Sequence, residues 1–471
     1  MTSKVILYEL NEVPWPVVNT FVEKSPTSTL AQILKESLHY ETHTKDSGEL
    51  HPWTTWPTMH RGVYNDTHDI RFLNQTISTN YKSTWEILAQ NHVSVGVFGS
   101  LQSWPIPQEN YAFYVPDTFA KDPQTSPVDL EAFQRFNLQQ TKKDGGVVAQ
   151  GISLGLQSLK DLFQMMRCGL SLKTVLLLTR QLVRELLNKN FKSIRSIYQS
   201  PVAFDLFFKQ LTTKKPAYAT FFTNHAAGMM HRYWKYLYPQ EFNYKIQGSD
   251  DYFKAHSILR AMEIADEQLC KLKAFADKEG YAIVIAASMG QEAIDRGEYL
   301  GQLHITNVHQ FYQAIQYDGI VQNNLAMSPD FSFEFEAEED LHDFQNCVLN
   351  LTDENGTPVF GFKQSDLTLN INLQTNADLV RSGGLYRNQK KEKVSFEDLG
   401  ISVEQRDPGT GYHQPKGIAI FYRKGLAPSA NIIPIESIEM APTLLHLFNV
   451  PIPDYMSPPI KDIAFILKSE A

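Results

Sequence analysis

Short apolar runs closed by turn residues recur along the chain: Val5–Leu10, Val93–Gly99, Ala217–Thr223, Ala282–Ser288 and Ile418–Arg423. Between several of them the apolar positions repeat every three or four residues, as at Ser83–Gln90 and Ala255–Lys278. Near-continuous apolar strands interleaved with amphipathic helices predict an α/β fold, a mostly parallel sheet with helices on both faces. Chemistry in such sheets gathers beyond the carboxyl ends of the strands. That rule selects Glu9, Asn11 and Glu12 after the first run, and Asn224 and His225 after the third. After the fourth it selects Ser288, Met289, Gly290 and Gln291.

Two stretches break the alternation. From about Leu130 to Ser200, Leu, Ile and Met fall at helical spacing with many Lys and Arg between them, which predicts a helical insertion over 126–214. Within it, 159–187 is basic and amphipathic, so peripheral membrane contact is a further reading of that segment. From Phe331 to Leu373 the alternation FSFEFEAE and LTLNINL predicts antiparallel hairpins, with Asp353–Gly356 as a turn. A small β insertion over 326–404 follows, with Ser382–Glu397 read as a mobile surface loop. The α/β core is then 1–125, 215–325 and 405–471.

Composition narrows the function. A net charge of −9 and a pI near 5.9 exclude a general nucleic-acid binder. Cys168, Cys270 and Cys347 lie too far apart for a paired motif, so neither a disulfide framework nor a thiolate zinc site is expected. No basic segment or long apolar run precedes Val5, and Thr174–Val183 is too short to span a bilayer. The expectation is a soluble, cytoplasmic protein.

The chemistry centres on His51–Gly62. Pro57 fixes its own φ and disfavours a helical Trp56, so a sharp strand-to-helix corner is expected there. Thr55 would sit where helix N–H groups point, a place that suits a nucleophile receiving an anion. The plainer reading makes Thr55 or Thr58 an N-cap. Two histidines fall in Asn224–Trp234, and His413 lies in Gly409–Pro415. Imidazoles are common zinc ligands, and three can form an open site. Singly, each reads as a hydrogen-bonded loop histidine.

The order of these pieces resembles the alkaline phosphatase superfamily, in its phosphodiesterase and nucleotide pyrophosphatase branch. The matching places are Leu10-Asn11, Thr55-Trp56-Pro57 with Gly62 and His68-Asp69-Ile70, Asn224 to His231, Ser288-Met289-Gly290, Gly411-Tyr412-His413 and Ala441–Leu445. The resemblance covers Val5 to about Ala120, Ala217 to about Gly301, and Thr410 onward, and leaves out both insertions. It implies an alkaline-phosphatase-like fold, Thr55 as a covalent nucleophile, and two divalent metals. The sequence departs at the nucleophile-side metal, whose ligand places hold Asn11, Thr55, Ser288 and Met289. A neutral amide, a hydroxyl and a thioether do not replace two carboxylates and an imidazole for such a cation. A single zinc-like ion, or none, is therefore expected. Its ligands would be His231 and His413, with His225 in place of an Asp that falls on Asn224 or Ala227.

The expected function is a phospho- or sulfo-ester hydrolase, phosphodiesterase-like, with Thr55 as nucleophile and a depleted metal site. Glu9 or Glu12 would act as base, with Asn11 and Arg232 beside the reacting group. Trp56, His60, Arg61, Ser288 and Gln291 would contact a small-molecule or glycan phosphoester. Each has a plain alternative: a strand-end carboxylate, a paired surface arginine, a core aromatic. Two rival functions stay open, a non-catalytic pseudoenzyme binding a phosphorylated or glycan-linked ligand and a metal-poor phospho-group transferase. Metal analysis by mass spectrometry should find about one zinc-like ion per chain, lost in His231→Ala and in His413→Ala. A wild-type protein that stays metal-free after loading would remove the ion from the scheme.

Overall fold

The computed structural model describes residues 3–73, 75, 77, 80–141, 156–324, 326, 330–387, 392–404, 409–461 and 463. Its largest sheet has eight strands, in the spatial order Ile433–Glu436, Ser37–His43, Lys416–Tyr422, Ala282–Ala286, Val5–Leu10, Tyr218–Thr223, Val95–Phe98 and Phe113–Val115. Lys416–Tyr422 runs antiparallel to both neighbours, and every other pairing is parallel. The α/β class read from the apolar runs is the one observed.

Why the strands are so uniformly apolar is plain from the layers. Every residue of Val5–Leu10 and of Ala282–Ala286 is buried. Ile6, Tyr8 and Leu10 point to one side, against the helices Gln199–Lys214, Ala227–Leu237 and Gly248–Glu279. Val5 and Leu7 point to the other, against Pro52–Arg61, Thr84–Gln90 and Met440–Leu447. A strand covered on both faces has no solvent side on which to place polar residues.

The predicted corner at Trp56 is not observed. The chain turns five residues earlier, at His51, whose φ of −138° and ψ of 145° precede a continuous helix Pro52–Arg61. Pro52 occupies the first helical position, where its missing N–H costs nothing and its fixed φ helps. Pro57 lies inside the helix, where it forgoes the one bond its N–H would have given to the Trp53 carbonyl. Gly62, at φ 67°, closes the helix in the left-handed region. Neither Thr55 nor Thr58 is the cap.

The described parts of the helical stretch form Glu131–Thr141, Leu156–Arg167, Leu172–Leu187 and Gln199–Lys214. The β insertion pairs Phe360–Ser365, Thr368–Leu373, Asp330–Glu334 and Gln322–Asn324 in one sheet, and its apolar cluster reaches from Leu303 to Ile401. The turn at Asp353 is present, with the Gly356 N–H on the Asp353 carbonyl at 3.1 Å. Two expectations fail here. A helix, Glu338–Leu349, interrupts the expected hairpins, opened by three acidic residues and packed through Leu341, Phe344 and Val348. The expected loop at Ser382–Glu397 contains the paired strands Gly384–Arg387 and Glu392–Ser395, joined across by the buried pair Leu385 and Val394. Among the described residues, no helix is long and apolar enough to cross a membrane.

Ile285 sits in a central strand with no exposed surface. Ile285→Ala should therefore lower the unfolding free energy by about 2–5 kcal/mol in urea titrations. A loss well under about 1 kcal/mol would contradict this placement.

Candidate functional site

The polar residues converge beyond the carboxyl ends of the central strands. Glu12 follows Val5–Leu10 at φ 61°, a conformation non-glycine residues seldom adopt, and its carboxylate is almost fully buried. Asn11 Nδ2 donates to Glu12 Oε1 at 2.9 Å, and Gln291 Nε2 donates to Oε2 at 2.5 Å. Gln291 belongs to Gly290–Ala293, and in the antiparallel pairing with Gly411–Gln414 it stands opposite His413. His231 comes from the helix Ala227–Leu237. The two segments meet because position 411 is glycine: a Cβ there would fall 2.4 Å from the Met230 carbonyl oxygen.

Glu12 Oε2 lies 3.0 Å from His231 Nε2 and 3.5 Å from His413 Nε2. One ligand atom from each of the three residues lies within 4.8 Å of the others. His231 Nδ1 sits 3.0 Å from the Gly411 carbonyl, which can only accept, so Nδ1 carries the proton. A neutral His231 would then aim the lone pair of Nε2 at a carboxylate oxygen. That contact is repulsive unless a proton or a metal ion lies between them. With protons there, burial pushes the Glu12 carboxyl up, but the charges of His413 and His231 outweigh it and hold it well below the usual range. Burial pulls His413 down, but Glu12 outweighs that and raises it. Two imidazoles and a carboxylate, with a backbone carbonyl fixing one ring, fit a divalent ion of the zinc type. His231 keeps a third of its side chain exposed, and Asn224 beside the site is exposed, so the group opens to solvent there.

Next to it lies a neutral network. Thr55 Oγ1 and Ser288 Oγ are 2.7 Å apart, and neither residue has exposed surface. Asn11 Nδ2 also donates to Asn224 Oδ1 at 2.6 Å, and Asn11 Oδ1 accepts from Trp56 Nε1 at 2.8 Å. Met289 is fully buried. Amide, indole and hydroxyls satisfy one another here, and none of these groups is anionic.

Several candidates lie elsewhere. Glu9 pairs with His60 at 2.8 Å under the Pro52–Arg61 helix, with the Trp85 ring edge-on at 4.7 Å from His60. Both are sealed from solvent, and each is the other's partner in the pair. Trp56 is a core side chain with no exposed face for stacking. Arg61 is buried away from the group, and its electrostatic neighbours are Glu86, Tyr114 and Tyr455. Arg232 is exposed and donates to the Ser193 carbonyl at 2.7 Å, toward the helical insertion. His225 uses both nitrogens within the core, on Thr223 Oγ1 at 2.7 Å and the Ala261 carbonyl at 2.9 Å, so it is not a ligand of this group. Glu12 takes the third place instead.

The opposite rim joins His51, Trp53 and Tyr412, from stretches the sequence pattern marks, to Glu49 and Lys363, which no local pattern singles out. His51 stacks on Trp53 with centroids 4.3 Å apart and meets the His413 ring edge-on at 5.9 Å. Lys363, from the β insertion, lies 3.1 Å from Glu49 Oε2 and 3.3 Å from His51 Nε2. The Tyr412 hydroxyl also donates to Glu49. A cavity of about 160 Å³ adjoins them, lined by Glu49, Lys363, Asp330, Asn370 and Asn372 among others.

No family model and no curated protein sequence matches the chain. Among solved structures it is similar to murine ectonucleotide pyrophosphatase/phosphodiesterase 5, at 9% identity over 98% of this chain and 100% of that one, with a TM-score of 0.43. An inactive variant of the murine protein in complex with AMP gives 10%, 98%, 99% and 0.43. The human protein of the same name gives 9%, 98%, 99% and 0.41. These proteins carry the name of the branch that the motif order resembles. Likeness at this level carries no inference about activity.

Burial pushes His225 down to about 4, so it stays neutral in the folded chain while an unfolded histidine titrates near 6.5. Its contribution to stability is complete above about pH 6.5 and is lost as pH falls toward 4, on the order of 3 kcal/mol. Unfolding free energies measured across that window should fall more steeply in the wild type than in His225→Gln. Parallel curves would refute the placement of His225.

Proposed function

We propose that the chain is a phosphoester hydrolase that works with one divalent ion instead of two. Glu12, His231 and His413 hold the ion, and Thr55 supplies the attacking hydroxyl. The observation that carries this reading is the Glu12 carboxylate facing two imidazole nitrogens, with the Gly411 carbonyl fixing the His231 ring. Such an ion polarises a phosphoryl oxygen and lowers the pKa of a hydroxyl or water near it. Gln291 and Asn11 hold the carboxylate in place, and Ser288 orients the Thr55 hydroxyl. The ester enters beside Asn224 and His231, where the group meets solvent. Small-molecule phospho- and sulfo-esters are the substrate class.

One feature favours a second reading. Thr55 has no exposed surface, and its hydroxyl bonds to another hydroxyl instead of a base. A protein that only binds a phosphorylated ligand through the ion would look the same.

The two readings separate on bis(p-nitrophenyl) phosphate and p-nitrophenyl sulfate, assayed with the zinc-loaded protein beside its variants. Under the hydrolase reading, Thr55→Ala keeps the ion and loses at least about 100-fold in turnover. Glu12→Gln and His231→Ala lose ion and turnover together. Gln291→Ala weakens ion affinity about 10–100-fold through the carboxylate it orients. Undiminished turnover in Thr55→Ala would remove Thr55 from the mechanism. Phosphoester binding without turnover in the loaded wild type would establish the binder.

A further inference from the structure

The helix Leu172–Leu187 packs Val175, Leu177 and Leu178 against the core, but its most buried residues are Thr174, Gln181 and Glu185, three polar side chains. Each bonds inward: Thr174 Oγ1 donates to Asp205 at 2.5 Å, Gln181 Nε2 donates to the Phe191 carbonyl at 2.8 Å, and Glu185 pairs with Arg195. The solvent side carries the hydrocarbon. Leu172 is 68% exposed, Leu176 69%, Val183 50%, Leu186 87% and Leu187 82%. Isolated exposed leucines are ordinary, but a stripe of them on one helix marks a surface that another phase or molecule covers.

At 100° per residue, Leu172, Leu176, Val183 and Leu187 fall within an arc of about 60°, and Lys173, Arg180 and Arg184 follow one flank of it. Between residues 172 and 192 the cations are Lys173, Arg180, Arg184, Lys189 and Lys192. The single acid in that stretch, Glu185, is turned inward onto Arg195. The chain as a whole carries a net charge of −9, so this basic face stands against the general balance.

We propose that this helix is a docking surface for an anionic phospholipid bilayer, lying in the plane of the interface. The leucine stripe enters the acyl boundary and the flanking cations meet the headgroups. Charge favours an anionic lipid surface over a second copy of the chain, since antiparallel self-docking would set one basic flank against another. The helix has 16 residues and carries charge along its length, so it lies on the bilayer and does not cross it. The proposal stands apart from the ion site: a protein without hydrolase activity would dock equally well.

Flotation of the full chain with vesicles tests it. Vesicles of phosphatidylcholine with 30% phosphatidylglycerol should carry the wild type, phosphatidylcholine alone should carry at least tenfold less, and 0.5 M salt should release much of the bound fraction. Leu176→Asp with Leu187→Asp, both at exposed positions, should cut bound protein at least tenfold with the thermal midpoint unchanged. Arg180→Glu should weaken anionic binding while leaving the leucines in place. Equal binding of the double variant, or no flotation with either vesicle, would overturn the proposal. A wild-type dimer in sedimentation that becomes monomeric in the double variant, without vesicle binding, would assign the face to a second copy and overturn it as well.

Discussion

A buried carboxylate facing two imidazole nitrogens needs a proton or a metal ion between them. Glu12 is that carboxylate, and the rest of the site is arranged around its need. Asn11 and Gln291 use their amides to satisfy part of it, while His231 and His413 meet it either as protonated rings or as ligands. Because the Gly411 carbonyl fixes the proton on His231 Nδ1, the Nε2 side is left for whatever positive species lies there. An ion of charge two answers the whole demand at once. Its affinity would fall at acid pH, since protons compete for the same lone pairs.

Beside it, Trp56 Nε1 donates to Asn11 Oδ1, Asn11 Nδ2 donates to Glu12 Oε1 and Asn224 Oδ1, and the Thr55 and Ser288 hydroxyls bond to each other. Neutral groups that satisfy one another avoid the penalty of an isolated buried charge. The Glu9–His60 pair stays close by as a sealed ion pair or hydrogen bond, and its position under the helix makes it part of the scaffold. Glu9 and Glu12, only three positions apart in the chain, thus stand in different surroundings, one in a sealed pair with His60 and the other facing His231 and His413.

The two insertions meet the core in different ways. The β insertion turns polar residues of its sheet toward the core, and Lys363 reaches Glu49 and His51 at the rim of the site. The helical insertion does the opposite and presents leucines outward while burying polar side chains against Asp205 and Arg195.

The sequence by itself determined the sheet. Strands buried on both faces must be apolar throughout, so Val5–Leu10 and Ala282–Ala286 were legible. His231 and His413 were expected in loops, but the structure places them in the helix Ala227–Leu237 and the strand Gly411–Gln414. Pro57 misled, because the preference against helix before proline is a local energy of modest size that the packing of Trp56 and Met59 overrides. The helix at Glu338 was written in its acidic start and its apolar spacing, yet was masked by the alternation around it. Only the tertiary structure brings Glu12, and not His225, together with His231 and His413. A histidine's role depends on which partner its second nitrogen finds, and the Ala261 carbonyl that holds His225 lies 36 positions away in sequence. Lys363 and the inverted face of Leu172–Leu187 were hidden for a like reason: sequence periodicity fixes which residues share a face, and only packing decides which way that face looks.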